Sequence, residues 1–525
     1  MHYSDTQFFH VAHARDLVGW DRVLYRALEM LPGLFAWGTI ITIVLLSIYT
    51  PHTAAYVIIA FDLYWLLKTV YLSMHMRYNW KRMRHALDTD WRERLQTVKY
   101  EHLYHMVILP FYKEGREVVE QSMEALLSAD YDKEKLIVVL AAEERAGEEA
   151  HELADEMVER YGTQFGHVIA TVHPDGLPGE IRGKGPNITY AAEEARARVL
   201  DPHAISYDDV IVSAFDIDTV VASQYFLCLS WHFATTERPH NASFQPVPLY
   251  NNNLWHVPAF SRVVALTATF WQMIQQERTE KLTTFSSHAV SFKALHKVGY
   301  WQKNMISDDS RIFWNLYLAH DGDYRVVPLS YPVSMDANAA ESAWGTFRNI
   351  YRQNFRWMWG VENVPYMLFG FIKNKAIPLR ERVRHTVIQL EGWWSGATHP
   401  LIILLLGWLP LILGGEEFRT TVLSYNLPYV TRNLMIAAMI GLIVSAYIAH
   451  TLTPPMPAHM GNRLFRRVMM HVQWILVPIT MIIFGTIPAL HAQTRLMLGR
   501  YVGAFWVTPK HRVASAPADT PPASS

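Results

Sequence analysis

Two pairs of carboxylates on this chain have spacings that chemistry can use. Asp216-Ile217-Asp218 closes the apolar run VIVSAF, and alternation along an extended strand would point both carboxylates to one side. Hard oxygen ligands placed so suit Mg²⁺ or Mn²⁺ bridging phosphates, which makes Asp218 and Asp216 candidate metal ligands. The plainer reading of a bare D-x-D pattern is a solvated strand end. Asp308-Asp309, in ISDDSRIFWNLYLAH, stands where an aromatic-rich helix should begin. Aspartate favours that position as a cap, which explains one carboxylate well and two less well. A carboxylate held near an acceptor hydroxyl, away from water, would instead act as a general base. Cap and base both stay open.

Two further clusters could serve an anionic donor. Gln353, Arg356 and Trp357 in IYRQNFRWMWG lie three and four apart, so they share a helical face. Arginine can grip a diphosphate in a fork and tryptophan can stack on a sugar ring. An amphipathic helix at a membrane surface uses the same residue types, and the two readings are compatible. HPDGLPGEIRGKGPN reads as a Gly-rich loop in which Lys184 and backbone N–H groups could cradle phosphate. It matches neither the P-loop nor the dinucleotide fingerprint.

The elements that would position these groups emerge from periodicity. From about Tyr100 the chain alternates strand and helix: HMVILPF, REVVEQSMEALLSA, KLIVVLAA, EEAHELADEMVERYG, HVIATVHP, NITYAAEEARARVL and DVIVSAFDID. Apolar strands of this length between helices predict an α/β domain with a mostly parallel sheet and helices on both faces. Ligands of such sheets bind at the carboxyl ends of the strands, where these clusters fall.

Around this domain the chain becomes apolar. Met30 to Phe61 contains no Asp, Glu, Lys or Arg, and Pro51-His52 divides it into one helix and a second running to about Met76. Asp62 and Lys68 fall inside the second; the plain reading is that Asp62 faces a neighbouring helix and Lys68 snorkels. The basic cluster RYNWKRMRH then places the α/β region on the cytoplasmic side. Gly392–Gly415, Asn433–Asn462 and Val468–Thr494 also lack these charged residues, and each is long enough to span a bilayer. Both flanks of the last run are basic, and Pro478 and Pro488 within it could permit a broken or re-entrant segment with a cytoplasmic tail. Charged residues are 18% of the chain, below the roughly 25% of an average soluble protein, so polar and apolar blocks are segregated. A net charge of −1 gives no electrostatic case for nucleic acid, and a single cysteine, Cys228, excludes an internal disulfide.

In order, LPFYKE, LAAEE, GKGPN, FDIDT, SDD and RQNFRW resemble the motifs of the family 2 glycosyltransferases, within them the membrane-embedded cellulose-synthase-like and hyaluronan-synthase-like group. The resemblance covers about residues 100 to 360 and the flanking spans. It implies a GT-A type domain inserted between N- and C-terminal transmembrane helices, and inverting transfer from a nucleotide sugar. Glu143 or Glu144 would contact the nucleotide base, Lys184 would sit near the donor diphosphate, and Asp216 and Asp218 would hold the nucleotide and its metal, Asp218 the more direct ligand. Asp309, with Asp308 before it, would be the base; Gln353, Arg356 and Trp357 would line the acceptor entrance and the diphosphate. Departures are the glutamates where an aspartate is usual, Asn354 within RQNFRW, and His288 where a small acceptor-contacting residue is common. FWVTPK, Phe505 to Lys510, resembles a gating loop that closes over the donor, which would add Lys510 to the donor site.

These readings predict an N-terminal segment with two spans (1–77), a cytosolic domain (78–340), interfacial helices (341–392), a second membrane region (393–494) and a cytosolic tail (495–525). The expected activity is hexosyl transfer from a donor such as a UDP-sugar to a growing polysaccharide, with translocation, at the cytoplasmic membrane. A single addition to a lipid acceptor and an inactive membrane scaffold are the alternatives.

Overall fold

β2 (Leu136–Glu143) is buried at every residue, and this explains why the central strands read as unbroken apolar runs. The computed structural model describes residues 8–458 and 460–503. β1 (Tyr104–Phe111), β2, β3 (His167–His173) and β4 (Val210–Ala214) form a parallel block in the order β3-β2-β1-β4. Successive residues of β1 and β2 join opposite layers. Met106, Ile108, Ile137 and Val139 pack in one cluster, Val107, Leu109, Val138 and Leu140 in the other.

The sheet then continues as β7 (Ala289–Ser291), β6 (Ala242–Tyr250), β8 (Arg325–Met335) and β5 (Val220–Val221), giving eight strands. β7 is antiparallel to β4 and β6, β6 is parallel to β8, and β5 is antiparallel to β8. The sheet is therefore mixed. Prolines interrupt the apolar pattern of β6 (Pro246, Pro248) and β8 (Pro328, Pro332), and the register slips between Gln245 and Val247. A strand proline gives up a ladder hydrogen bond, so such runs do not announce themselves as strands.

Helices cover both faces as expected. α1 (Gly19–Tyr49) and α2 (Pro51–Asp88) precede the sheet, and α2 runs past the boundary expected at residue 77. α3 (Arg116–Ser128) and α4 (Glu148–Tyr161) pack on one face; α5 (Lys184–Ala195) and, further along the chain, α7 (Asp308–Ala319) pack on the other. Between them in sequence comes α6 (Ala259–Gln276), and after them α8 (Ala343–Met358) carries the arginine–tryptophan motif.

Among the described residues four helices are long and apolar enough to cross a membrane: α1, α2, α10 (Val422–Leu452) and α11 (Arg463–Met497). α9 (Leu379–Leu404) with Leu406–Leu413 passes the same test as a pair bent by 47°. Within α2, Asp62 accepts a hydrogen bond from the Thr431 hydroxyl of α10 at 2.8 Å, so it faces a neighbouring helix. Lys68 pairs with Glu391 of α9 at 2.7 Å, and Lys281 of the α/β domain shares that carboxylate at 3.1 Å. α11 stays helical through its prolines, with a 3-10 turn before Pro478 and a π turn before Pro488. Along its length it lies on the α/β domain and on α1. Trp474 stacks on Phe270, Phe484 on Phe260, His491 packs on Phe355, and Arg26 donates to the Leu496 carbonyl at 2.8 Å.

Candidate active site

The first residue of α5 lies at the centre of the charged cluster. Lys184 opens this helix rather than sitting in a loop, which corrects the sequence expectation. Its ammonium is 2.8 Å from Asp216 and 3.1 Å from Asp309, and is 8% exposed. Burial alone would lower its pKa, but the carboxylates of Asp216, Asp309 and Asp308 outweigh that and raise it, so Lys184 stays charged. Gly185 permits the approach of α5 to α7. A Cβ there would lie 2.9 Å from the Gln302 carbonyl oxygen and 3.1 Å from the Asp308 Cβ.

Asp308 and Asp309 occupy the first turn of α7 and differ in access. Asp308 is buried at 3%, whereas the Asp309 side chain is 26% exposed. Burial and the adjacent Asp309 push Asp308 up to about 8, against the attraction of Lys184 and Arg356. The folded chain therefore keeps a proton that an unfolded aspartate releases near pH 4. Stability should fall as pH rises from about 4 to about 8, because the folded state binds more protons over that window. Asp308→Asn removes this titration. Between pH 5 and pH 8 the variant should gain on the order of 1–3 kcal/mol relative to the parent, read from thermal unfolding of detergent-solubilised protein; parallel curves would refute the buried proton.

His288 is fully buried, and both ring nitrogens are already engaged. Nδ1 donates to the Phe285 carbonyl at 2.7 Å, and Nε2 accepts from the Trp301 indole at 3.2 Å. Burial lowers its pKa, opposed by Asp309, and this bonding pattern is that of a neutral ring. Nδ1 also lies 3.7 Å from Asp309, and with both nitrogens engaged the buried ring has none left to offer an acceptor, unlike the contact the resemblance implies.

The D-x-D pair also divides its duties. Asp216 is 33% exposed and receives, besides Lys184, the Ser286 hydroxyl at 2.9 Å. Asp218 is 1% exposed, and one of its carboxylate oxygens accepts the Asp336 N–H at 2.9 Å. The more accessible carboxylate is thus Asp216, where the resemblance points to Asp218. No group of three His, Cys, Asp or Glu side chains able to hold a metal occurs among the described residues. Two hard carboxylates fit an ion held mainly by a substrate's phosphates.

On α8, Arg356 feels the carboxylates of Asp216, Asp308 and Asp309. Gln353 accepts from the Asn338 amide at 3.3 Å, and the Trp357 ring lies 6.0 Å from that of Tyr250. Gln353, Trp357, Tyr250 and Asp336 line one cleft. A second cavity, of about 320 Å³, opens where β2 and β3 end, lined by Glu143, Arg145, His173, Asp175, Arg182 and Gly503. There Glu143 is gripped by Arg145 at 2.6 and 3.0 Å, and Arg145 lies over the Tyr112 ring at 4.4 Å. Glu144 is exposed and accepts the Asp175 N–H at 2.8 Å, so of the two glutamates only Glu143 lines the cavity. Lys510 and the rest of FWVTPK lie outside the described residues. Ser286, Tyr250 and Arg145 join the site without having been singled out; Ser286 lies two residues before His288, and Arg145 directly follows LAAEE.

The chain matches the family model described as glycosyl transferase family group 2 over residues 211–487, more than half its length. No curated protein matches it. Among solved structures it is similar to the mannosyltransferase PcManGT from Pyrobaculum calidifontis in complex with GDP-Man and Mn²⁺, at 15% identity and a TM-score of 0.38, over 81% of this chain and 99% of that one. It is also similar to S. aureus TarS 1-349 in complex with UDP-GlcNAc, at 14% identity and a TM-score of 0.33, over 66% of this chain and 91% of that one.

Proposed function

This chain belongs to the glycosyl transferase family group 2, and we propose that it is a membrane-integral inverting enzyme that extends a polysaccharide from a nucleotide-sugar donor. The observation that carries the proposal is the meeting of Asp216, Asp309 and Lys184 with Arg356 close by, next to a cavity at the strand ends. The nucleotide would enter beside Glu143 and Arg145, with its diphosphate running toward Lys184 and Arg356. Asp216 and Asp218 would hold Mg²⁺ or Mn²⁺, which neutralises the diphosphate when bound. Asp309 takes the proton of the acceptor hydroxyl as that oxygen attacks the anomeric carbon; the bond to the diphosphate oxygen breaks, and its electrons leave with the nucleotide. One displacement inverts the anomeric centre. Gln353 and Trp357 would guide the acceptor, with Trp357 and Tyr250 offering ring faces to a sugar.

The membrane arrangement in this proposal has four crossings, by α1, α2, α9 with its bent partner, and α10. α11 then lies at the interface against α6 and α8, with both ends on the domain's side and the domain in the cytoplasm. Its contacts along those helices and its basic flanks support this, and Gly503 at the cavity brings the chain toward the donor from the same side. Since the single native cysteine is buried, a cysteine introduced at Gly461 can be followed alone. In sealed vesicles of known orientation it should react with an impermeant maleimide only from the domain's side. Labelling from the opposite face would overturn the arrangement.

Membranes containing the protein, given labelled nucleotide sugars and divalent metal beside an Asp309→Asn control, test the activity. Base-dependent label in filter-retained polymer supports the synthase and identifies the sugar. Label in organic solvent instead supports single addition to a lipid. Label in neither, with every donor tried, counts against the proposal.

A further inference from the structure

The stretch Trp359–Asn363, which continues α8, is fastened to the start of α7 by a buried carboxylate. Glu362 is 1% exposed. Its Oε1 accepts from the Ser307 N–H at 3.1 Å and from the Ser307 hydroxyl at 2.8 Å. Its Oε2 accepts from the Trp359 indole at 2.9 Å and lies 3.5 Å from His13 Nε2. Asn363 donates to the Ser310 hydroxyl at 2.8 Å and accepts from Arg311 Nε at 2.6 Å. Arg311, fully buried, reaches on to the Glu362 carbonyl at 3.2 Å and the Val11 carbonyl at 3.0 Å. Ser307 and Ser310 bracket Asp308 and Asp309 in sequence.

We infer that Glu362 is a positioning residue for Asp309, and this rests on Asp309 being the base. The first N–H groups of a helix have no partner within it, and a charged acceptor fixes them more firmly than a neutral one. Glu362 does so from six residues beyond Arg356, on the same continuous stretch. One carboxylate therefore sets the spacing between the group that takes the proton and the group facing the leaving diphosphate. Glu362 itself touches neither substrate nor Asp309. Glutamine in its place offers one oxygen and one NH₂ to donors on both sides, so an N–H must turn against either Ser307 or the Trp359 indole.

The test uses the full chain in detergent. Glu362→Gln should lower kcat roughly 10²-fold, the scale of a 1 Å misplacement of a reacting group. Donor KM should stay within about threefold, since Glu143, Lys184 and Arg356 are untouched. Ser307→Ala, which keeps its N–H and loses only the hydroxyl, should lower kcat several-fold in the same pattern. Unchanged kcat in both variants overturns the inference, and so does a loss of donor binding equal to the loss of kcat. Where Glu362→Gln is not recovered folded, Ser307→Ala alone decides by the same split. Asp309→Asn run alongside separates the two ideas. If it retains transfer, the base assignment has failed; if it abolishes transfer while Glu362→Gln and Ser307→Ala do not lower it, only the positioning role has.

Discussion

Asparagine at position 309 is expected to reduce sugar transfer by ~10²–10⁴-fold, the usual contribution of a positioned general base. The side chain keeps its shape and loses only the ability to take a proton. Asp309 suits the role better than its neighbour because it is 26% exposed, while Asp308 is sealed in and tends to hold its own proton. Donor binding should survive the change. Lys184 retains Asp216 at 2.8 Å, and the Glu143–Arg145 end of the cavity lies outside the altered turn. Transfer to acceptor and binding of the nucleotide sugar, measured on the same preparation, give the answer. A loss below about threefold in transfer would make Asp309 a helix cap and nothing more.

What sequence could reveal here depended on range. β1, β2 and β4 were legible because each is an apolar run buried along nearly its whole length, β3 because a shorter apolar stretch follows a helix, and Asp216, Asp309 and Arg356 because each stands in a short motif at an element's end. β6 and β8 were hidden by prolines that local pattern treats as breakers, although tertiary pairing on one side tolerates them. Lys184 looked like part of a Gly-rich loop because glycines flank it. In the fold Gly185 is there for close approach to Asp308. His288 looked like an acceptor contact from its place in a motif, and only packing against Trp301 shows that its ring is spent inside the protein. Glu362 had no local signature at all, since its partner Ser307 lies 55 residues away.

Lys184→Met should be the most destabilising change at this site, by about 3 kcal/mol, the lower end of the range for removing one partner of a buried ion pair. The lower end applies because Asp216 and Asp309 remain 33% and 26% exposed, so water screens part of the stranded charge. Arg356 remains charged beside them, but one cation cannot neutralise both Asp216 and Asp309. The cation lost from Asp216 also stands where the D-x-D pair would hold a metal. Mg²⁺ or Mn²⁺ should therefore raise the unfolding temperature of Lys184→Met more than that of the parent, where an ammonium already occupies Asp216. Asp216→Asn in the Lys184→Met background should abolish that gain, since it removes the accessible carboxylate. If the metal raises both unfolding temperatures equally, Asp216 is not where it acts, and the lysine and the metal do not share a carboxylate.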